Sequence, residues 1–112
     1  MLYVFYGEKF WIKEKVKELS ERAEEKGREV ILLEEGIDTP LNSFLSRDLF
    51  GRKILLIGQN LFEIPERKEE IKALASDIAS SENIFILVEE EFSDTWEKLF
   101  KGVGAKIQEF KK

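Results

Sequence analysis

Apolar residues along this chain follow two patterns, and the two alternate. Leu2-Tyr3-Val4-Phe5-Tyr6 is a continuous apolar and aromatic run closed by Gly7, the signature of a strand buried on both faces. Ile12, Val16, Leu19 and Ala23 then recur at steps of four, three and four, with Lys and Glu between them. That spacing draws one apolar stripe along a helix, and Gly27 sits where its C-cap belongs. Val30–Leu33 is a second continuous run and predicts a second strand.

Gly36-Ile37-Asp38 turns the chain, and Thr39-Pro40 offers a capping hydroxyl followed by a proline at the first helical position. A short helix is expected over Leu41–Ser46, ending near Gly51. A third strand follows over Ile54–Ile57, closed by Gly58. Pro65 opens a helix with the fullest stripe of the sequence, Ile71, Leu74, Ala75, Ile78 and Ala79. Ile84–Val88 predicts a fourth strand. Asp94 with Glu97 forms a capping box for a short helix through Phe100, which Gly102 and Gly104 break, and Ala105–Phe110 ends the chain as a fifth strand.

Strands without period-two alternation, separated by helical crossovers, imply an α/β fold: a three-layer, mostly parallel five-stranded sheet. No internal repeat, low-complexity tract or linker interrupts it, so residues 1–112 are expected to form a single domain.

Composition narrows the chemistry. Cysteine and histidine are both absent, which removes thiol catalysis, zinc sites built on Cys or His, and Ser–His or Cys–His nucleophile pairs. Carboxylates, lysines and a few hydroxyls remain, and an enzyme is not expected. With 23 Asp and Glu against 18 Lys and Arg, the net charge of −5 disfavours holding duplex DNA by its phosphates alone. The apolar runs, Ile84–Val88 and the amino-terminal one included, are far short of the ~18 residues a membrane helix needs, and the amino-terminal run lacks the basic flank of a signal peptide. No membrane association and a cytoplasmic location are expected. Dense Lys and Glu with few amides point to a heat-adapted source.

The first strand-to-helix turn is where a nucleotide-binding α/β fold places its phosphate loop. Here it reads Tyr6-Gly7-Glu8-Lys9-Phe10-Trp11-Ile12-Lys13, without the second glycine or the Lys-Ser/Thr pair that phosphates and Mg²⁺ require. No cofactor is expected. Glu89-Glu90-Glu91 ends the fourth strand and reads as a solvated acidic turn: no Asp ends the first or third strand to complete a divalent site, and Glu8 and Glu34–Glu35, which can approach, come with equally plentiful Lys and Arg. Lys9, Lys13 and Lys17 share a helical face among interspersed glutamates, an ordinary mixed-charge surface. Phe10-Trp11 is read as core or as a hydrophobic staple rather than as a base-stacking pair.

Phe44-Leu45-Ser46-Arg47-Asp48-Leu49-Phe50-Gly51-Arg52-Lys53 differs from these. Two adjacent apolar side chains at a helix end cannot both point inward. Pattern alone still assigns Leu49-Phe50 to the core, since Leu and Phe are usually buried; the alternative is a two-residue plug for a partner's pocket, the kind of anchor that dominates interface energy.

Three segments together make the chain resemble the N-terminal domain of the delta subunit of bacterial DNA polymerase III, the clamp-loader wrench. Tyr3-Val4-Phe5-Tyr6-Gly7-Glu8 resembles the family's start, with its Tyr-Gly-Glu turn where ATP-binding relatives keep a phosphate loop. Leu45 through Ile57 resembles its "Ser-Leu-Phe, basic residues, strand" segment. Ile84–Val88, the helix around Trp96–Phe100 and Gly104-Ala105-Lys106-Ile107 resemble its last strand–helix–strand unit. The similarity runs in order along essentially the whole chain.

The resemblance implies a degenerate AAA+/P-loop-like domain that binds no nucleotide and contacts the ring-shaped sliding clamp. Leu49 and Phe50 would enter a hydrophobic pocket on the clamp and favour ring opening, flanked by Leu45, Ser46 and Asp48. Two departures stand out at that site. The common clamp-binding pattern starts with Gln where this chain has Leu45, and the family's Ser before Leu-Phe is Asp48. The family also continues into a second small domain and a helical collar, whereas this chain stops at Lys112, as an excised first domain or a stand-alone relative would. The expected partners are the sliding clamp and other clamp-loader subunits, with little direct DNA binding. The competing expectation is a small Mg-dependent α/β enzyme or a regulatory module acting on nucleotides or phosphates.

Overall fold

Apolar runs without alternation become strands when both faces of a sheet are covered, because each side chain then finds an apolar environment whichever way it points. The computed structural model, which describes residues 1–45 and 53–111, follows this rule. Its strands are β1 (Leu2–Gly7), β2 (Glu29–Leu33), β3 (Ile54–Gln59), β4 (Ile84–Glu89) and β5 (Lys106–Phe110). Its helices are α1 (Lys9–Glu25), α2 (Leu41–Leu45), α3 (Pro65–Ser80) and α4 (Asp94–Gly102), with a 3₁₀ turn over Leu61–Glu63.

The five strands form one sheet in the order β2-β3-β4-β1-β5, and every neighbouring pair is parallel. β1 lies inside the sheet, with Val4 opposite Leu87 of β4 on one side and Ile107 of β5 on the other. Strand alternation sorts the core into two clusters. Phe5, Leu55, Ile57 and Ile86 pack with Ile12 and Ala23 of α1. Val4, Leu56, Phe85 and Leu87 pack with Leu41 and Phe44 of α2, Ile71 and Ile78 of α3 and Phe100 of α4. At the carboxyl end of the second cluster, Phe62, Phe92, Trp96 and Phe100 form a chain of ring contacts with centroids 5.2–6.0 Å apart.

Local signals differ from expectation in three places. The fourth helix is capped by Ser93, whose Oγ accepts the Trp96 N–H, so Asp94 is the first helical residue and not the cap of a capping box. The first N–H of α2, on Leu41, donates to Glu70 Oε2 at 3.0 Å, a carboxylate from α3 in the place assigned to the Thr39 hydroxyl. β3 continues past Ile57 to Gln59, because Gly58 and Gln59 still pair with Leu87 and Val88.

Gly7 ends β1 at φ +114°, and a Cβ built on it would fall 2.3 Å from the Phe110 carbonyl oxygen. The same oxygen accepts the Glu8 N–H at 2.8 Å, so the end of β5 is latched onto the first turn. Gly7→Ala combines a backbone clash with an unfavourable φ and is expected to cost at least about 2 kcal/mol of stability. Gly27→Ala, at φ +81° with nothing within 4 Å of the added carbon, is expected to cost about 1 kcal/mol. Guanidinium unfolding of the two variants checks both the size and the order of these effects.

Candidate functional site

Leu49 and Phe50, with Ser46 and Asp48, lie outside the described residues, but both flanks of their segment are described. On the upstream side, Leu41 and Phe44 are buried and Leu45, the last residue of α2, is half-buried against the same core. A single arginine fixes the approach to this helix. Arg67 of α3 is 7% exposed, and its Nη2 donates to the carbonyls of Ile37 and Thr39 at 2.7 and 2.6 Å. Its Nη1 donates to Glu70 Oε1 at 2.6 Å, while the other oxygen of Glu70 takes the Leu41 N–H. A guanidinium suits this position because its planar fork can reach several acceptors at once. Nothing in the sequence marked Arg67, which reads as one charge among many on an amphipathic helix.

On the downstream side, Lys53 pairs with Glu82, and its carbonyl accepts the Glu29 N–H at 3.1 Å. The Ile54 N–H donates to the buried Asn83 Oδ1 at 2.9 Å. Residues 46–52 therefore run between two anchored points, the end of a core-packed helix and the start of a central strand. Short polar flanks between rigid supports are what a displayed recognition segment needs, because the supports do not have to be ordered on binding.

The carboxyl rim of the sheet is the other place where function gathers in parallel α/β folds. At the head of α1, two of the groups nearest the first turn already have partners within the chain. The Glu8 N–H goes to Phe110, and Lys9 Nζ pairs with Glu90 Oε1 at 2.7 Å. Glu34, Glu35 and Glu63 line a hollow of about 380 Å³ with Gln59 and Asn60, so the rim is acidic. These carboxylates do not converge: among the described residues, no group of three or more His, Cys, Asp or Glu is placed to hold a metal ion.

The expectation of a solvated acidic turn at Glu89–Glu91 holds for Glu90 and Glu91, which are exposed, and fails for Glu89, which is 4% exposed. The strand runs one residue past its apolar stretch, and alternation carries Phe85, Leu87 and Glu89 onto one face beneath the 3₁₀ turn. Burial pushes the Glu89 carboxyl up to about 7; the charge of Glu63 adds to this, and the N–H groups of Phe62 and Leu61 oppose it. One of its oxygens, Oε2, has no hydrogen-bond partner.

The reading of Phe10-Trp11 as core or staple is also corrected. Both rings are exposed, at 59% and 47%, and they pack edge to face on each other at 4.9 Å. The apolar stripe of α1 begins one residue later, at Ile12, and one helical face cannot bury three consecutive residues. No family model matches the sequence, and no curated protein matches it.

Two outcomes follow. Glu89 keeps its proton in the folded state at pH values where the unfolded chain has lost it. Stability is therefore expected to fall as pH rises from the ordinary carboxylate value of 4.5 to about 7, and to level off above that. Glu89→Gln should remove this slope, stabilising the protein by about 1–3 kcal/mol at pH 8 and leaving it nearly unchanged below pH ~4.5; urea unfolding at the two pH values checks it. Arg67→Met should strand Glu70 and two loop carbonyls, with an expected loss of about 3 kcal/mol in the same measurement.

Proposed function

We propose that this chain is the clamp-binding domain of a delta-like clamp-loader subunit: a three-layer, degenerate AAA+/P-loop-like scaffold that works without nucleotide and presents Leu49 and Phe50 to the sliding clamp. The resemblance in Leu45–Ile57 motivates the reading. The observation that carries it is the closed first turn, where Gly7 abuts the Phe110 carbonyl and the Glu8 N–H is already taken by it. The all-parallel α/β sheet is an architecture that elsewhere serves nucleotides, and the end of β5 lying against the first turn supports a scaffold that works without one. A scaffold of this kind acts by what its loops display, and the anchored flanks of residues 46–52 support a displayed segment.

In this reading the Leu and Phe side chains leave water for an apolar pocket on the clamp, gaining about 1.5–3 kcal/mol each. Together that amounts to two to four decades of affinity. The differential binding energy would be spent on the open form of the ring, because a ligand shifts an equilibrium only as far as it prefers one state. A cytoplasmic location goes with this role, and among the described residues no helix is long and apolar enough to cross a membrane.

Two measurements test the proposal. Leu49→Ala with Phe50→Ala should abolish capture of the same organism's sliding clamp by the full chain while the melting temperature barely moves. Retained capture, or a protein that melts far earlier because the pair is core, overturns the site. Calorimetry with Mg-ATP should give no heat above dilution, and a micromolar dissociation constant would refute the nucleotide-free scaffold.

A further inference from the structure

The first helix runs from the carboxyl end of β1 to the amino end of β2, passing beneath the sheet on the face where, among the described residues, it is the one covering helix. A helix is about 10 Å wide, so a diagonal crossing leaves sheet uncovered on either side. On the side toward β5, at the amino end of the strands, this leaves a partly enclosed cleft of about 490 Å³ between the second half of α1 and the sheet. Tyr3, Leu19, Leu55 and Ile84 give it an apolar floor. Lys15, Arg22, Lys26, Arg28 and Lys106 line it as well, and no described carboxylate does.

Those cations are not equally committed. Glu18 takes Arg22 at 2.8 Å and approaches Lys15 at 3.9 Å, and Arg28 donates to the carbonyls of Ile54 and Glu82. Lys26 has no ion-pair partner among the described residues, and Lys106 has the face of Tyr3, with Nζ 5.7 Å from the ring centroid, in place of a carboxylate. In a chain of net charge −5 with carboxylates in excess, a cleft ringed by cations alone runs against composition. It also lies at the opposite end of the sheet from the acidic rim, so neither Glu63 nor Glu89–Glu91 reaches it.

We propose that this cleft is a binding site for a small amphiphilic anion, a carboxylate or sulfonate carried on an apolar body of roughly ten carbon atoms. The volume falls within the range of small-molecule sites, and an apolar lining with a few charged groups at the mouth is their usual construction. The apolar body lies on Tyr3, Leu19, Leu55 and Ile84, exchanging water for contact, and the head group is met by Lys26 and Lys106 at the rim. A neutral molecule of the same shape leaves both lysines without a counter-charge, so the site selects for the anion. The assignment does not depend on clamp binding, because its residues lie outside the segment 46–52 and both of its flanks.

The test is fluorescence titration of the full chain with 8-anilinonaphthalene-1-sulfonate, followed by displacement with decanoate and with decanol. Saturable one-to-one binding is expected, with decanoate displacing the probe at concentrations at least tenfold below those of decanol. Lys26→Gln with Lys106→Gln, both at exposed positions, should weaken probe binding at least tenfold without lowering the melting temperature. Leu19→Gln serves as a second variant that damages the floor while leaving the charges. Equal displacement by acid and alcohol, unchanged affinity in the double lysine variant, or a probe signal that tracks only partly unfolded protein would each overturn the site.

Discussion

The position of β1 inside the sheet governs everything else in the molecule. From interior β1 the chain leaves for a distant edge, crossing β4 and β3 to reach β2, and then fills the gap strand by strand on the way back. Because parallel crossovers keep one hand, the outward step and the returning steps put their helices on opposite faces. The outward step has α1 alone, while the returning steps have α2, α3 and α4. The unequal cover explains why one face is sealed by an aromatic cluster around Phe62, Phe92 and Phe100 while the other keeps exposed Leu32 and an open corner at Tyr3.

The same connectivity fixes which ends of the strands carry which charges. The carboxyl ends bear Glu8, Glu34, Glu35, Glu63, Glu89 and Glu90, with Lys9 tied to Glu90. The amino ends bear Lys26, Arg28, Lys53 and Lys106 beside Glu29, the first residue of β2, and Glu82, which is tied to Lys53. In open α/β sheets the carboxyl rim is where phosphates gather on helix N-termini. Here that rim is acidic: Glu8, Glu34, Glu35, Glu63 and Glu90 are exposed to water, and Glu89 alone of the six is buried, with its carboxyl pushed up by that burial.

Much of the fold was legible because the strands are unbroken apolar runs and the two long helices carry unambiguous stripes. Among the described residues, the five strands and four α-helices were expected in the right order, and their described boundaries moved by a residue or two. What stayed hidden depends on tertiary partners. The burial of Glu89 requires the 3₁₀ turn over Leu61–Glu63 to lie above it, and that turn has no periodicity to read. The role of Arg67 rests on carbonyls of Ile37 and Thr39 that are about thirty residues away in the sequence. The caps at Leu41 and Asp94 were misassigned for one reason: several neighbouring polar groups could fill each, and packing chose between them. At the candidate site, the Leu49-Phe50 pair was visible as an apolar couple with charged flanks, whereas the anchoring of those flanks through Glu70 and Asn83 was not.

The latch between Gly7 and Phe110 also bears on how this protein is made. During synthesis β1 has neither of its sheet neighbours until residues 84–110 have followed it, whereas β2 and β3 can pair as soon as both exist. During synthesis, then, Leu2–Tyr6 is an apolar segment waiting for partners some eighty residues behind it, and its α1 has no complete surface to rest on. Contacts this distant in sequence slow folding and prolong the exposure of sticky intermediates.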